Sequence, residues 1–497
     1  MSIKTFAAKI FAARIKKKMQ KWIDQPVKTQ QDVFENLIQK AKNTAFGKDH
    51  NFEQIQNFTD FQQQVPIRDY EGLKPYVDRV VAGETSVLWP GKPLYFAKTS
   101  GTTSGAKYIP LTKESMPTHI DAARNAILYY IAETGRSKFI DGKMIFLQGS
   151  PILEEQNGIK LGRLSGISAH FIPNYLQRNR LPSWETNCIE DWETKLQKVI
   201  DETIDQDMTV IGGIPSWVQS YFEKLYEQSD QKIGDLYKNL ELFIYGGVNY
   251  EPYRSKFEAL IGRKMPSIEL YPASEGFFAF QDVQERDDML LLLNSGIFYE
   301  FIKVEKFFDT APEIYTIKNV EINVNYVMII STTAGLWRYN LGDTVIFTST
   351  KPYRITVSGR IKHFTSAFGE HVIAKEIERA LEKAQEEFQP QITEFTVAPQ
   401  LHPQEGLAHH EWLIEFEKKP ADIEKFTQAI DQNLQNQNSY YKDLRDGQML
   451  ACLKITSLPK DSFARYMKSL GKLGGQNKVP RLSNDRKIAE ELEKISI

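Results

Sequence analysis

Residues 94–112 read LYFAKTSGTTSGAKYIPLT: two strand-like flanks around a loop of glycine, serine and threonine. Gly101 and Gly105 let the backbone turn tightly enough for several amide N–H groups to face one anion. The hydroxyls of Thr99, Ser100, Thr102, Thr103 and Ser104 add donors, and Lys107 adds a compact positive charge suited to phosphate. The stretch lacks the GxxxxGK[ST] spacing of P-loops and the GxGxxG of dinucleotide folds. Strand-like residues follow the loop where those motifs have a helix, so it reads as a hairpin loop able to clasp polyphosphate. Taken alone, a Ser/Thr/Gly loop is equally a plain turn.

Upstream, residues 1 to about 90 are helical and polar in pattern, with breaks expected around Pro66 and Pro75. Downstream, strand-like and helix-like segments alternate. MIFLQGS (144–150) is followed by DWETKLQKVIDETI (191–204), then by the strand, turn and helix of residues 208–228. ELFIYGG (241–247), a helix and SIELYPASEG (267–276) come next. This alternation marks an α/β sheet with crossovers. Two strand-rich stretches near 290–350 suggest a β subdomain. At residues 353–384 a strand and a Gly-Arg turn lead to a new hairpin and helix, and the remainder suits a small α+β domain.

Composition sets the outer limits. In 497 residues, 62 Lys and Arg balance 64 Asp and Glu, so no global charge draws the chain to nucleic acid or to an anionic membrane, which leaves room only for a local basic patch. The two cysteines, Cys188 and Cys452, cannot build a disulfide framework; they read as structural thiols in a reducing, cytoplasmic setting. No apolar run approaches the ~20 residues of a membrane span. The first 23 residues do not read as a signal peptide, because charge interleaves with Ile3, Phe6, Ile10, Ile15, Met19 and Trp22. That helical stripe reads as a leading helix packed on the body of the protein, with a membrane-surface helix as the alternative. His409, His410 and Glu411 are consecutive and form no HExxH face, and no GxSxG elbow occurs.

Together the segments resemble a known order. TSGTTSGAK is similar to the phosphate loop of adenylate-forming enzymes, the superfamily of acyl-CoA synthetases and luciferases. YGG (245–247), YPASE (271–275), RYNLGD (338–343), GRIKHFTSAFGEHV (359–372) and GQNKVPR (475–481) follow in that superfamily's sequence. The forms YPASEGFFAF, LWRYNLGD and QNKVPR resemble the auxin-responsive promoter family of acyl acid amido synthetases. The resemblance spans residues about 90 to 481.

It implies an α/β fold with a large N-terminal adenylate-forming domain (1–358), a hinge at 359–362 pivoting on Lys362, and a mobile α+β C-terminal domain (363–497). It also implies roles. Gly246 and Gly247 lie along adenine and Tyr271 stacks on it, with Ser274 beside it. Asp343 takes the ribose hydroxyls, as an acceptor-only carboxylate can. Arg360 reaches ribose or phosphate. Glu275 is the Mg²⁺ ligand, a carboxylate beside triphosphate being the usual oxygen donor for that ion. Lys478, in a Gly-rich segment, meets the carboxylate and α-phosphate as charge develops, with Lys107 on the phosphates.

Each position also has a plain structural reading: a strand end at Gly246, a packed aromatic at Tyr271, a turn at Asp343, a solvated Lys478. Trp337 and Arg338 read as packing or as site. The acid pocket is expected near Gly212–Trp217, His119 to Tyr130 and Val248–Tyr250. The expected reaction uses ATP and Mg²⁺ to adenylate a small carboxylic acid, then passes the acyl group to an amine, an amino acid, forming an amide. Thioester formation by an acyl-CoA ligase and a non-catalytic adenylate binder are the alternatives. No nucleic acid or obligate protein partner is expected.

Overall fold

Helices dominate the first ninety residues: α1 (Ile3–Ile23), α2 (Pro26–Ala41) and shorter ones up to Tyr70–Val81. The computed structural model describes residues 2–496 apart from 100–106, 173–177, 248–249, 362–363, 366–371, 402, 404, 447–449, 474–477 and 484. Pro75 does not break its helix. It sits inside Tyr70–Val81, and Glu71, one turn before it, is exposed.

The chain divides into two units. The first holds residues 1–248, 260–341 and 345–356; the second holds 249–259, 342–344 and 357–497. Among the described residues before 361 the strands are β1 (Tyr95–Thr99), β2 (Lys107–Leu111), β3 (Lys143–Phe146), β4 (Glu154–Gln156), β5 (Ile159–Gly162), β6 (Arg180–Leu181), β7 (Met208–Gly212), β8 (Leu242–Gly246), β9 (Ser267–Ala273), β10 (Gly276–Phe280), β11 (Met289–Leu291), β12 (Ile297–Lys303), β13 (Asn325–Thr332), β14 (Tyr339–Thr350) and β15 (Tyr353–Arg360). They form a four-stranded sheet, β2-β1-β5-β4, and an eleven-stranded one, β12-β13-β14-β15-β11-β10-β9-β8-β7-β3-β6.

In the larger sheet β6, β3, β7, β8 and β9 are parallel, joined by crossovers that include the helices Trp192–Thr203 and Pro215–Ser229. The strand-rich stretches expected as a β subdomain continue this same sheet, because the β9–β10 hairpin carries the ladder on to β11 and β15. The parallel strands β7 and β8 are buried almost throughout, as a sheet covered on both faces requires. α3 (Met116–Thr134) packs on β9 and β10 on one face.

In the second unit β16 (Phe364–Thr365) pairs with β17 (Val372–Ile373), and β18 (Gln391–Gln400), β19 (His409–Lys418) and β20 (Lys454–Leu458) form a three-stranded sheet. One core gathers Ile377, Leu381, Trp412, Phe426 and Tyr441, and a second gathers Leu413, Leu458, Phe463 and Leu492. Helices Ala374–Phe388 and Ile423–Gln435 supply the first, and Ser462–Ser469 and Lys487–Ser496 the second. Trp412 and Leu413 are neighbours on β19 and so point to opposite faces of the sheet.

Candidate active site

The parallel strands β3, β7, β8 and β9 end along one edge of the large sheet. There Leu147 N donates to Gly212 O (2.8 Å) and Gly213 N to Ile244 O (3.0 Å). The crevice beyond the carboxyl ends of parallel strands is where open α/β sheets bind ligands. Tyr245 faces Glu269 and Gly246 faces Leu270, so Tyr271 is the next residue on the neighbouring strand. The fold thus brings Gly246, Gly247 and Tyr271 together, with Gly212 one strand away. Both glycines are required by the backbone. A Cβ at 246 would stand 2.5 Å from the Leu270 carbonyl oxygen, and Gly247 has φ +80°. The Tyr271 side chain is buried, with its ring edge-on to Phe278 at 5.0 Å.

Where a strand running into a loop was expected, β9 turns straight into β10. Ala273 pairs with Gly276, leaving Ser274 and Glu275, both half-buried, as a two-residue turn. Among the described residues no group of three or more His, Cys, Asp or Glu is placed to hold a metal.

Thr99 and Lys107 oppose each other as the last pair of the β1–β2 ladder. Ser100, Gly101, Thr102, Thr103, Ser104 and Gly105, which this pair brackets, lie outside the described residues. The Lys107 ammonium stands 5.3 Å from the centre of the Tyr70 ring, whose hydroxyl accepts a hydrogen bond from Tyr108 N (2.9 Å).

The remaining positions belong to the second unit. Asp343 is buried after Gly342, whose φ of +86° favours glycine. The expected Gly-Arg turn is the end of β15: Gly359 and Arg360 are strand residues, and Ser358 Oγ donates to Thr344 Oγ1 (2.8 Å). The Arg360 side chain and Lys362 lie outside the described residues. Lys478 is exposed. Three residues on, Arg481 is buried. It pairs with Glu394, donates to the Tyr253 hydroxyl (2.7 Å) and lies 4.5 Å from the Phe395 ring centre. It pins the end of the QNKVPR segment to β18. Nothing in the sequence marked Arg481 apart from its place in that segment.

Trp337 and Arg338 are packing. The Trp337 indole is fully buried among Phe46, Phe52 and Trp89 and donates to Leu88 O (3.0 Å). Arg338 lies across the Glu300 carboxylate, with Nη2–Oε1 at 2.8 Å, and donates through Nη1 to Val65 O at 2.7 Å.

Two buried bases stand outside the roles read from the sequence, which named His119 only as one end of the expected acid pocket and did not name Lys195. Lys195 donates to Gln148 O (3.0 Å) and Asn187 O (2.8 Å), and burial lowers it to about 8. On an amphipathic helix it gives no sequence signal. His119, on α3, is buried with no partner for Nδ1 among the described residues, and burial lowers it to about 4. A free imidazole titrates near 6.5, so between those values protons bind the unfolded chain preferentially. Stability fully present above pH 6.5 is therefore lost as pH falls towards 4, by about 3 kcal/mol. His119→Gln should flatten this acid limb when urea midpoints are compared at about pH 4.5 and about pH 7. An unchanged slope would exclude His119 as its source.

The architecture is that of adenylate-forming enzymes. A solved 2-hydroxyisobutyryl-CoA ligase in its postadenylation state, holding an acyl-AMP, matches with a TM-score of 0.60 at 13% identity, over 94% of this chain and 90% of that one. The solved GH3.15 acyl acid amido synthetase matches at 0.79 and 15% identity, over 98% and 96%. The chain belongs to the GH3 family. The family's N-terminal domain model matches residues 15–186, its central domain model 290–360 and its C-terminal domain model 375–487.

Among curated relatives, a jasmonoyl–L-amino acid synthetase of Nicotiana attenuata is 20% identical over 386 residues, 64% of this chain and 66% of the relative. The indole-3-acetic acid-amido synthetase GH3.15 of Arabidopsis thaliana is 22% identical over 404 residues, 64% of each. The chain thus spans just under two thirds of the length of these relatives. No described helix is long and apolar enough to cross a membrane.

Proposed function

We propose that this chain is an acyl acid amido synthetase: it adenylates a small carboxylic acid with ATP, then transfers the acyl group to an amino acid. In the first step a substrate carboxylate oxygen attacks the α-phosphorus and pyrophosphate leaves. In the second an amine displaces AMP, losing a proton as the amide forms. The observation that carries this reading is the carboxyl edge of β8 and β9. There two glycines that the backbone itself requires leave bare main chain beside Tyr271, a surface on which a purine can lie.

In this reading Thr99 to Gly105 and Lys107 hold the phosphates, Asp343 and Arg360 hold the ribose side, and Lys478 offsets charge as the α-phosphate is attacked. A half-buried carboxylate suits Mg²⁺, which keeps several waters and takes its other oxygens from substrate phosphates. Glu275 would hold it, and when bound the ion neutralises phosphoryl oxygen charge. We further propose that residues 359–362 form a hinge with Lys362 at the pivot, separating an N-terminal domain (1–358) from a mobile C-terminal one (363–497). Free thiols at Cys188 and Cys452 support a cytoplasmic site of action.

The test is a screen of carboxylic acids for acid-dependent ATP–pyrophosphate exchange, crossed with amino acids and read by mass spectrometry. An amide formed only when both substrates are present is expected. Acyl-CoA formed without dependence on an amine would replace this reading with a thioester ligase, and no exchange with any acid would favour a non-catalytic adenylate binder.

A further inference from the structure

The leading helix divides its apolar residues between two faces. Ala12, Ile15, Met19 and Trp22 are buried, with α1 packed on α3. Ser2 and Thr5 anchor its start to the Asp141 carboxylate, at 2.7 and 2.8 Å. The opposite face is bare: Ile3 is 89% exposed, Phe6 59% and Ile10 58%. At 100° per residue these three form one ridge. Lys9 and Lys16 flank it on one side, Arg14 and Lys18 on the other, and Lys17 and Lys21 continue it.

Residues 1–23 hold seven Lys and Arg and no carboxylate. Lys9, Arg14, Lys17, Lys18 and Lys21 are exposed and make no ion pair among the described residues. Beside the ridge runs a groove of about 530 Å³, lined by Ala13, Ile131 and Ala132 and by Lys9, Lys16 and Lys17. The match to the family's N-terminal model begins at residue 15, so the ridge precedes the part that model describes.

We propose that the outer face of α1 docks on an anionic lipid surface, with Ile3, Phe6 and Ile10 entering the interface and the flanking lysines and arginine meeting lipid phosphates. An apolar ridge between two basic flanks is the layout of an interfacial helix. A nucleic acid would make no use of three exposed aliphatic and aromatic side chains in a row. Lys16 is paired with Glu133 at 3.2 Å, but the other cations around the ridge are unpaired among the described residues, and cations beside apolar groups complement acidic headgroups over acyl chains. Because the inner face is already packed and its start anchored, the ridge is presented without a folding step. The two contributions are separable: the apolar ridge sets insertion, and the cations set the preference for anionic lipid.

Flotation of the full chain with vesicles tests this, using phosphatidylcholine alone and phosphatidylcholine carrying about one third phosphatidylglycerol. Binding is expected on the mixed vesicles, with little on the neutral ones, and salt should weaken it. Phe6→Ser with Ile10→Ser should lower partitioning by about tenfold or more. Lys17→Gln with Lys18→Gln and Lys21→Gln should lower it comparably on the mixed vesicles alone. Both sets alter exposed residues, and an unchanged thermal melt confirms the fold. The proposal is overturned by no binding, by equal binding to neutral vesicles, or by binding indifferent to the Phe6 and Ile10 changes. A solution mass of two chains that reverts to one on those changes would assign the ridge to a second copy instead.

Discussion

Glu275→Ala is expected to abolish acid-dependent ATP–pyrophosphate exchange, a loss of about a thousandfold or more. The residue fills one of the two turn positions between β9 and β10, four residues after Tyr271, and is half-buried. The ladder on either side is closed by the pairing of Ala273 with Gly276, so removing a turn side chain leaves the backbone frame standing. Little stability should change, and a melt of the variant checks this. The large effect arises because no described cluster of carboxylates or histidines backs Glu275 up. Glu275→Gln keeps the shape and removes the charge, so it should lose nearly as much exchange. Glu275→Asp, with the charge set back by one methylene, should retain part of it. Near-normal exchange in Glu275→Gln would take the carboxylate out of the metal site.

The sequence was most legible where backbone chemistry leaves few options. Strand-like flanks around a glycine-rich loop announced the β1–β2 ladder, and the alternation of strands and helices announced the parallel part of the large sheet. It was less legible where an outcome depends on a distant partner. The periodicity of α1 shows a stripe, but only packing against α3 decides that Ile15, Met19 and Trp22 are covered while Ile3, Phe6 and Ile10 are not. Pro75 looked like a stop signal, yet the helix Tyr70–Val81 runs through it. The strands after residue 290 looked separate because the hairpin that joins them to the parallel strands is only two residues long at its turn. The site divides in the same way. Gly246, Gly247 and Tyr271 come together through strand register, which a glycine pair and an aromatic at strand ends foreshadow. Arg481 and His119 act through burial, which no local pattern encodes.

Arg338 is the clearest case of a motif residue whose work is structural, and its removal should cost more stability than any other change considered. Arg338 is 2% exposed and Glu300 is 0% exposed. Arg338 Nε lies 3.0 and 3.1 Å from the two carboxylate oxygens, and Nη1 reaches Val65 O and Gln62 O in the N-terminal helical region. Arg338→Ala would leave a carboxylate without its counter-charge in the middle of β12, and breaking a buried pair from one side costs about 3–5 kcal/mol. Burial already pushes the Glu300 carboxyl up from its ordinary range, and Arg338 is what opposes that rise. Without the arginine the folded-state value climbs further. A group raised on folding favours the folded state while protonated and loses that contribution as pH rises. The Arg338→Ala defect should therefore be deeper at about pH 8 than at about pH 5. Replacing both partners, with Glu300→Leu and Arg338→Met, removes the orphan charge and should recover much of the loss, since a buried pair exchanged for apolar side chains is often near neutral. Denaturant midpoints for the single and double variants at both pH values decide it. A single-variant loss below about 1 kcal/mol, or one that does not vary with pH, would mean that water reaches Glu300 and that the pair is not the clasp its burial implies.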